Sequence, residues 1–515
     1  MLSAWTAEAI GEDGPGVAVG IVRDGEILST FTAGRANLEF DLPITGTTRF
    51  NIASNGKQFT ALCILKLAAE GKLDPEADFR DYLPGYFPDI RQPIRIRHLL
   101  THRSGIRDVY DLWSLQGLTW WQEFLTNTDA LDLLKDQRTL NFEPGSAFAY
   151  SNSNYLLLAA VVAEVAGIPF ADYAAGLFTE LGMFHTAWQD DYLDVIPERA
   201  RPYGQWRGWK EYPSVSGLHG DGGLFTSLDD QLQWERLLQR EDRPAWIRQS
   251  EELPEGSPAY GYGWEAGTFR GKAYRFHEGS TGAYNASFVR FPDASLAVVV
   301  LANNGAVSPF ELSRRIAAEI LGLQEAGEDY PIGPDNPGLP VSPESITGLY
   351  RMDSETLIRI AHRGDSLYRE IEGRPAVALI PGKTNVYTYA SNPDLKMAFD
   401  VPDAGEPRAT IYFPGQAPIN GTRVPGPPED LPYRRGLEGT FRDAESGVSF
   451  ILAFQEGDRF TWAREGTRER DSVLYMKDGL QAGNYALYPV RDSSGNVTAY
   501  RLEFGRSERL IFSRY

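Results

Sequence analysis

The apolar pattern of the first 325 residues changes period twice. GVAVGIVRDGEILSTFTAGRAN (16–37) is dense in β-branched side chains and interrupted by Asp24-Gly25, which predicts two strands joined by a tight turn. From 55 to 72 the apolar positions recur at helical spacing. Helical patterning then dominates, over 95–101, 111–126, 129–136, 153–166, 168–181 and 228–240. Strand-like runs return in KAYRFHEG (272–279), YNASFVRFP (284–292) and LAVVVLANN (296–304), and a last helix is predicted over 309–323. Strands at both ends with helices between imply one antiparallel sheet built from the two termini of this region, an α+β plan.

The composition then shifts. EAGEDYPIGPDNPGLPVSP (325–343) is dense in Pro, Gly and acid and reads as a linker. Beyond it the helical period gives way to short alternating strands, with a second break at 413–432. ITGLYRMDSETLIRI (346–360) aligns with LEGTFRDAESGVSFI (437–451), and Gly364-Asp365 recurs as Gly457-Asp458 at a similar offset. A repeat of about ninety residues is too long for a solenoid and suits two duplicated all-β modules, closed into small barrels to hide their edges. The expected domains are 1–328, 340–425 and 433–515.

Composition removes several function classes. A net charge of −20 argues against nucleic acid, which calls for a basic patch. The single cysteine, Cys63, excludes an internal disulfide framework and sits in an apolar context, as a small buried hydrophobe. One cysteine and six scattered histidines, with no HExxH pair, suggest no metal site, and no cofactor is expected. The N-terminal MLSAWTAEAIGEDGPG lacks a basic and an apolar segment, and YLLLAAVVAEVAG (155–167) is short for a bilayer. The expectation is a cytoplasmic protein without membrane segments, or a periplasmic one if a leader has been removed.

Candidate chemistry begins at FNIASNGKQFTALC (50–63). Ser54 and Lys57 stand at i and i+3, so the amine can reach the hydroxyl, and the helix start favours developing negative charge. Ser54 also reads as an ordinary helix cap. This is the chain's only S-x-x-K, and Lys57 is one of nine lysines. Next, Tyr150-Ser151-Asn152 falls on a loop before a helix expected to start near Asn154, where Asn152 or Ser153 would serve equally as a cap. Third, His277-Glu278-Gly279-Ser280 lies on a strand, whose alternation puts His277 and Gly279 on one face and Glu278 on the other. A glycine inside a strand marks close approach by another backbone.

S-x-x-K, then Y-x-N about ninety residues on, then H-x-G before a late strand, resembles the three-motif order of the serine β-lactamase and penicillin-binding protein superfamily. IRHLLTHRSGI (96–106), DGGLFTSLDD (221–230) and YGYGW (260–264) resemble connecting segments of its class C-like branch. The resemblance implies a β-lactamase-like α+β catalytic domain, here followed by two small antiparallel, lipocalin-like barrels, the plan of the three-domain bacterial D-aminopeptidases. It implies Ser54 as acylated nucleophile and Lys57 with Tyr150 as base and acid. It further implies Asn152 and His277-x-Gly279 as substrate-binding groups, with the Ser54 and Ser280 N–H groups as oxyanion donors. Where many relatives carry K-T-G, this chain has His277 and Glu278. The Lys383-Thr384 pair in the first all-β module is read as a decoy.

The expected activity is hydrolysis of amides or short peptides, with release of N-terminal D-residues. In the D-aminopeptidases a last-barrel loop recognises the free amine. The corresponding hairpin here has a short turn at 492–495, and MKDGLQAGN (476–484), with Asp478, is the alternative. Two competing readings are an esterase of small acyl esters and a non-hydrolytic binder. The expected partner is a small molecule or short peptide, and a homodimer is allowed.

Overall fold

Asp24 and Gly25 both have positive φ (52° and 78°), the condition for a tight hairpin turn, and the strands they join pair as predicted. In this computed structural model the described residues are 13–205, 207–254, 256–257, 260–323, 342–352, 357–364, 366–371, 376–382, 385–390, 392–402, 405–412, 419–424, 436–455, 459–467, 471–475 and 479–515. The chain divides into two units, Met1–Glu325 and Ala326–Tyr515.

The first unit is built on a seven-stranded antiparallel sheet. Its strands are β1 (Val17–Arg23), β2 (Glu26–Ala33), β3 (Tyr260–Gly261), β4 (Trp264–Phe269), β5 (Lys272–Thr281), β6 (Tyr284–Phe291) and β7 (Leu296–Ala302), in the order β3-β4-β5-β6-β7-β1-β2. The pairing of β1 with β7, Val17 opposite Ala302, joins the two ends of the unit as the patterning implied. β3 and β4 were not predicted, because the glycines of YGYGW break the alternation. Gly263 needs its positive φ, and a Cβ there would lie 2.3 Å from the Gln58 nitrogen.

Seven helices matter to the site: α1 (Lys57–Ala69), α2 (Val109–Gln116), α3 (Asn127–Lys135), α4 (Asn152–Ala166), α5 (Phe170–Leu181), α6 (Leu228–Leu238) and α7 (Pro309–Ile320). β1 is buried on both faces. Val17, Val19 and Ile21 pack with Ile316 and Ala317 of α7, while Ala18 and Val22 face the larger core containing α1 and α4. That double burial is why β1 reads as a continuous apolar run. The 155–167 stretch is the core side of α4, and no single helix among the described residues is long and apolar enough to cross a membrane. Cys63 is fully buried in the same core, and burial pushes its thiol far above the usual range.

Two helix boundaries differ from expectation. The helix predicted over 111–126 ends at Gln116, because Gly117 takes a left-handed C-cap (φ 91°). The helix expected from about 154 starts at Asn152, its first turn tied to α2 by a hydrogen bond from the Asn152 N–H to Asp108.

The second unit holds two closed eight-stranded antiparallel barrels. They run from Gly348–Met352 to Ile419–Val424 and from Gly439–Asp443 to Ser507–Arg514. Their opening strands keep one register. Gly348 pairs with Ile360 and Tyr350 with Ile358, as Gly439 pairs with Leu452 and Phe441 with Phe450. Both glycines have positive φ (142° and 150°), and Tyr350 and Phe441 are fully buried, so the repeated Gly-x-aromatic is structural. The break expected over 413–432 contains a strand, Ile419–Val424, which closes the first barrel by pairing with Gly348–Met352. The Pro/Gly content of its flanks masks it in the sequence.

β5 carries the packing constraint nearest Ser54. A Cβ on Gly279 would stand 2.1 Å from the carbonyl oxygen of Ile52, just ahead of Ser54. Gly279→Ala should therefore destabilise the first unit by about 2–3 kcal/mol, the cost of forcing backbone apart in a packed site. Urea denaturation against the parent protein measures it, and an unchanged midpoint would show that the contact can relax.

Candidate active site

Ser54 lies in a 3-10 turn, Ala53–Gly56, between the strand Arg49–Asn51 and α1. It caps nothing: the turn has Ile52 at its N-cap, and neither turn nor α1 shows a side-chain cap. The capping reading is corrected by a hydrogen bond from Lys57 Nζ to Ser54 Oγ at 3.0 Å. Ala53, one residue earlier, is held at φ 46°, with its N–H donating to Asn51 Oδ1 at 2.9 Å. A non-glycine in the left-handed region stores strain, here next to the candidate nucleophile.

Lys57 is fully buried. Its Nζ also donates to Asn152 Oδ1 (2.8 Å) and to the Asp221 carbonyl (2.6 Å). These two oxygens can only accept, whereas the Ser54 hydroxyl can also give a proton. On giving up a proton the amine can keep both N–H bonds to them and turn its lone pair toward Ser54.

Asn152 is oriented in turn. Asp108, the N-cap of α2, accepts from the Asn152 N–H and Nδ2, both at 2.9 Å, so the amide oxygen faces Lys57. Asp221 is buried, and burial lifts its carboxyl above the usual range. Its Oδ2 accepts from Tyr110 OH at 2.8 Å and its Oδ1 has no hydrogen-bond partner.

Tyr150 is seated by its neighbours. The Ala149 N–H donates to the His102 carbonyl (3.0 Å) and the Ser151 N–H to His102 Nδ1 (3.2 Å). The Tyr150 ring packs at a tilt against His102, centroids 4.2 Å apart, and Lys57 Nζ lies 5.1 Å from its centroid. Ser54, Lys57 and Asn152 are thus in direct contact, with the Tyr150 ring beside the amine.

The third motif approaches from β5. β4 runs beside it only as far as Glu265 opposite Phe276, so 277–281 are paired with β6 alone. Asn55, fully buried next to Ser54, bridges to this segment. Both ends of its amide are satisfied when the nitrogen donates to the His277 carbonyl (2.9 Å) and the oxygen accepts from the Gly279 N–H (3.0 Å). His277 is buried, and burial, assisted by the Lys57 charge, pushes its imidazole down to about 3. Glu278 points away, as strand alternation implied, to Arg314 Nη1 on α7 at 3.1 Å. Ser280 is exposed and lines a cavity of about 410 Å³ together with Gln205, Tyr212 and Asn285. Asp478 and the Lys383-Thr384 pair lie outside the described residues. Among the described residues no group of three or more His, Cys, Asp and Glu is arranged to hold a metal ion.

The model of the Beta-lactamase family matches residues 5–321. The chain belongs to the beta-lactamase family. It is similar to a D-aminopeptidase of Gluconobacter oxydans (strain 621H), 29% identical over 325 residues, which are 60% of this chain and 59% of that protein. A D-aminopeptidase of Cereibacter sphaeroides (strain ATCC 17029 / ATH 2.4.9) is 28% identical, over 69% of this chain and 67% of its own. Its fold resembles that of the octameric penicillin-binding protein homologue from Pyrococcus abyssi (TM-score 0.59, 23% identity, 82% of this chain and 99% of that one). The α+β unit and the two barrels are as the sequence led us to expect.

Asn55, Asp108, Asp221 and Tyr110 were not singled out from the sequence. Asn55 stands inside S-x-x-K and Asp221 opens DGGLFTSLDD, so both were within quoted motifs. Asp108 carries only a cap signal. Asp108→Ala leaves the Asn152 N–H, Nδ2 and the Tyr110 N–H without their acceptor. It should cost about 2–4 kcal/mol in chemical denaturation. Asp108→Asn, which keeps an acceptor oxygen, should cost less than half as much.

Proposed function

We propose that this chain is a serine hydrolase that cleaves amides or short peptides through an acyl-enzyme on Ser54, with preference for an N-terminal D-residue. The observation that carries the reading is the 3.0 Å contact between Lys57 Nζ and Ser54 Oγ, with the amine's neighbouring oxygens on Asn152 and Asp221 unable to donate. Ser54 Oγ attacks the acyl carbon while its proton passes to Lys57 or Tyr150. The C–N bond breaks as that proton is delivered to the leaving nitrogen. Water then adds to the acyl carbon, the Ser54 ester bond breaks, and the serine hydroxyl is restored. The Ser54 and Ser280 N–H groups are the proposed donors to the oxyanion.

The D-aminopeptidase names of the two relatives support the substrate class. The turned-away Glu278 supports it as well, since its carboxylate is spent on Arg314 rather than facing the site. Hydrolysis of small acyl esters is the second reading, favoured by a buried, uncharged His277 where other members carry lysine.

Ser54→Ala should lower turnover at least about a thousandfold with the folded state intact by circular dichroism. Residual activity near the parent level would remove Ser54 as nucleophile. D-Ala-p-nitroanilide, its L-isomer, p-nitrophenyl butyrate and nitrocefin, compared at equal enzyme concentration, rank the substrate readings. The D-anilide is expected to lead, and a lead for the butyrate would install the esterase reading instead.

A further inference from the structure

YGYGW (260–264) supplies a residue that the mechanism above does not use. Tyr260 of β3 is 1% exposed, and its hydroxyl lies 3.1 Å from His277 Nε2. The other ring nitrogen, Nδ1, is 2.7 Å from the Glu278 backbone carbonyl. A carbonyl oxygen only accepts, so Nδ1 carries the proton. In an uncharged ring Nε2 is then the acceptor, and Tyr260 is the hydroxyl that donates to it. The neighbouring Tyr155 hydroxyl gives its proton to the Leu100 carbonyl at 3.0 Å, and its side chain is also hydrogen-bonded to that of Tyr260.

We infer that Tyr260 is a positioning residue that locks His277 as the Nδ1–H tautomer, with both ring nitrogens occupied by protein, so that the third motif offers a bound substrate no cation. The inference deepens the hydrolase reading and rests on it for its consequence: the substrate carries no carboxylate beside the scissile bond.

Burial and Lys57 favour the uncharged ring and outweigh the Glu278 carbonyl, which favours protonation. Lys57 on α1 acts on the ring as a like charge and is repulsive to an imidazolium. Tyr150, from the loop before α4, presents an aromatic ring at 6.3 Å and Tyr260 another at 5.9 Å. Asn55 engages the His277 backbone, not the ring. On its own strand the Glu278 carboxylate is on the opposite face, paired with Arg314. Glu265 of β4 stands opposite Phe276, on the alternate face from His277, and burial with the Glu278 charge lifts it to about 7.

Two measurements test this, one without turnover. Protein carrying ¹⁵N-histidine, with the His277 signal assigned by its loss in His277→Gln, is examined by long-range ¹H–¹⁵N correlation from pH 8 to pH 5. The expected result is a protonated Nδ1 and an unprotonated Nε2 that do not move over this range, in the parent protein and in Ser54→Ala alike. An Nε2–H tautomer, or a midpoint within the range, overturns the inference even if the hydrolase reading stands. In Tyr260→Phe the ring remains and the donor is gone, so the Nε2 signal should shift and the Nε2–H tautomer should become populated. A variant that only loses stability while the tautomer stays fixed overturns the positioning role, and if it does not fold, the parent spectrum decides.

The second measurement is the kcat/KM ratio of D-Ala-D-alaninamide to D-Ala-D-Ala, in which ionisations shared by both reactions cancel. In the parent it should favour the amide and change less than twofold between pH 8 and pH 5.5. A parent ratio that itself follows a histidine titration overturns the inference. Absence of turnover on both peptides, with the tautomer as expected, removes the substrate consequence and the hydrolase reading while leaving the lock in place.

Discussion

A buried lysine amine held against a serine hydroxyl is the constraint around which the first unit is arranged. Taking an ammonium out of water costs several kcal/mol unless oxygens replace its hydration. Here the oxygens come from parts of the chain far apart in sequence: Ser54 one turn away, Asn152 at the start of α4, and the Asp221 carbonyl ahead of α6. Each needs its own support. Asp108 fixes the Asn152 amide, Tyr110 engages the Asp221 carboxylate, and the strained Ala53 presents the turn that carries Ser54. Removing any of these disturbs a buried charge rather than a surface contact, so the site and the core are one packing problem.

The second dependence is the seam between this turn and β5. Gly279 admits the Ile52 carbonyl where any side chain would collide, and Asn55 ties the same segment to the turn through its amide. Because β4 stops short, 277–281 remain unpaired on one side beside Ser54. An open stretch of strand at the proposed nucleophile is where an extended acyl substrate can dock its backbone, the geometry that the proposed peptide chemistry asks for.

The parts legible in the sequence are those with a local signal. β1 and β2 show a turn dipeptide between apolar runs, Ser54 and Lys57 have a fixed helical spacing, and strand alternation alone placed His277 and Glu278 on opposite faces. The duplicated barrels were legible because each repeats a glycine with positive φ before a buried aromatic. What failed has a common cause: tertiary contact overrides local pattern. β4 follows a glycine-rich run, the strand Ile419–Val424 sits among prolines and glycines, and α4 gains two residues because Asp108 holds its first N–H. Asp108 and Tyr260 are invisible for the same reason, since their partners lie 44 and 17 residues away.

The electrostatics of the third motif follow from the first. A second lysine at position 277 would face Lys57 across a dry site, and like charges that close each push the other toward the neutral form. A K-T-G lysine there would meet that cost and supply a cation able to hold a carboxylate. This chain places an uncharged imidazole there, and Glu278 is discharged against Arg314 on the far face. The third motif then adds no cation to pair with an anion, while the net charge of −20 gives the whole surface a field that draws cations. A substrate with a free ammonium group and an uncharged scissile end fits both fields, and a β-lactam carboxylate fits neither. Substrate choice in the proposed reaction is therefore set as much by where charge has been removed as by the groups that bind.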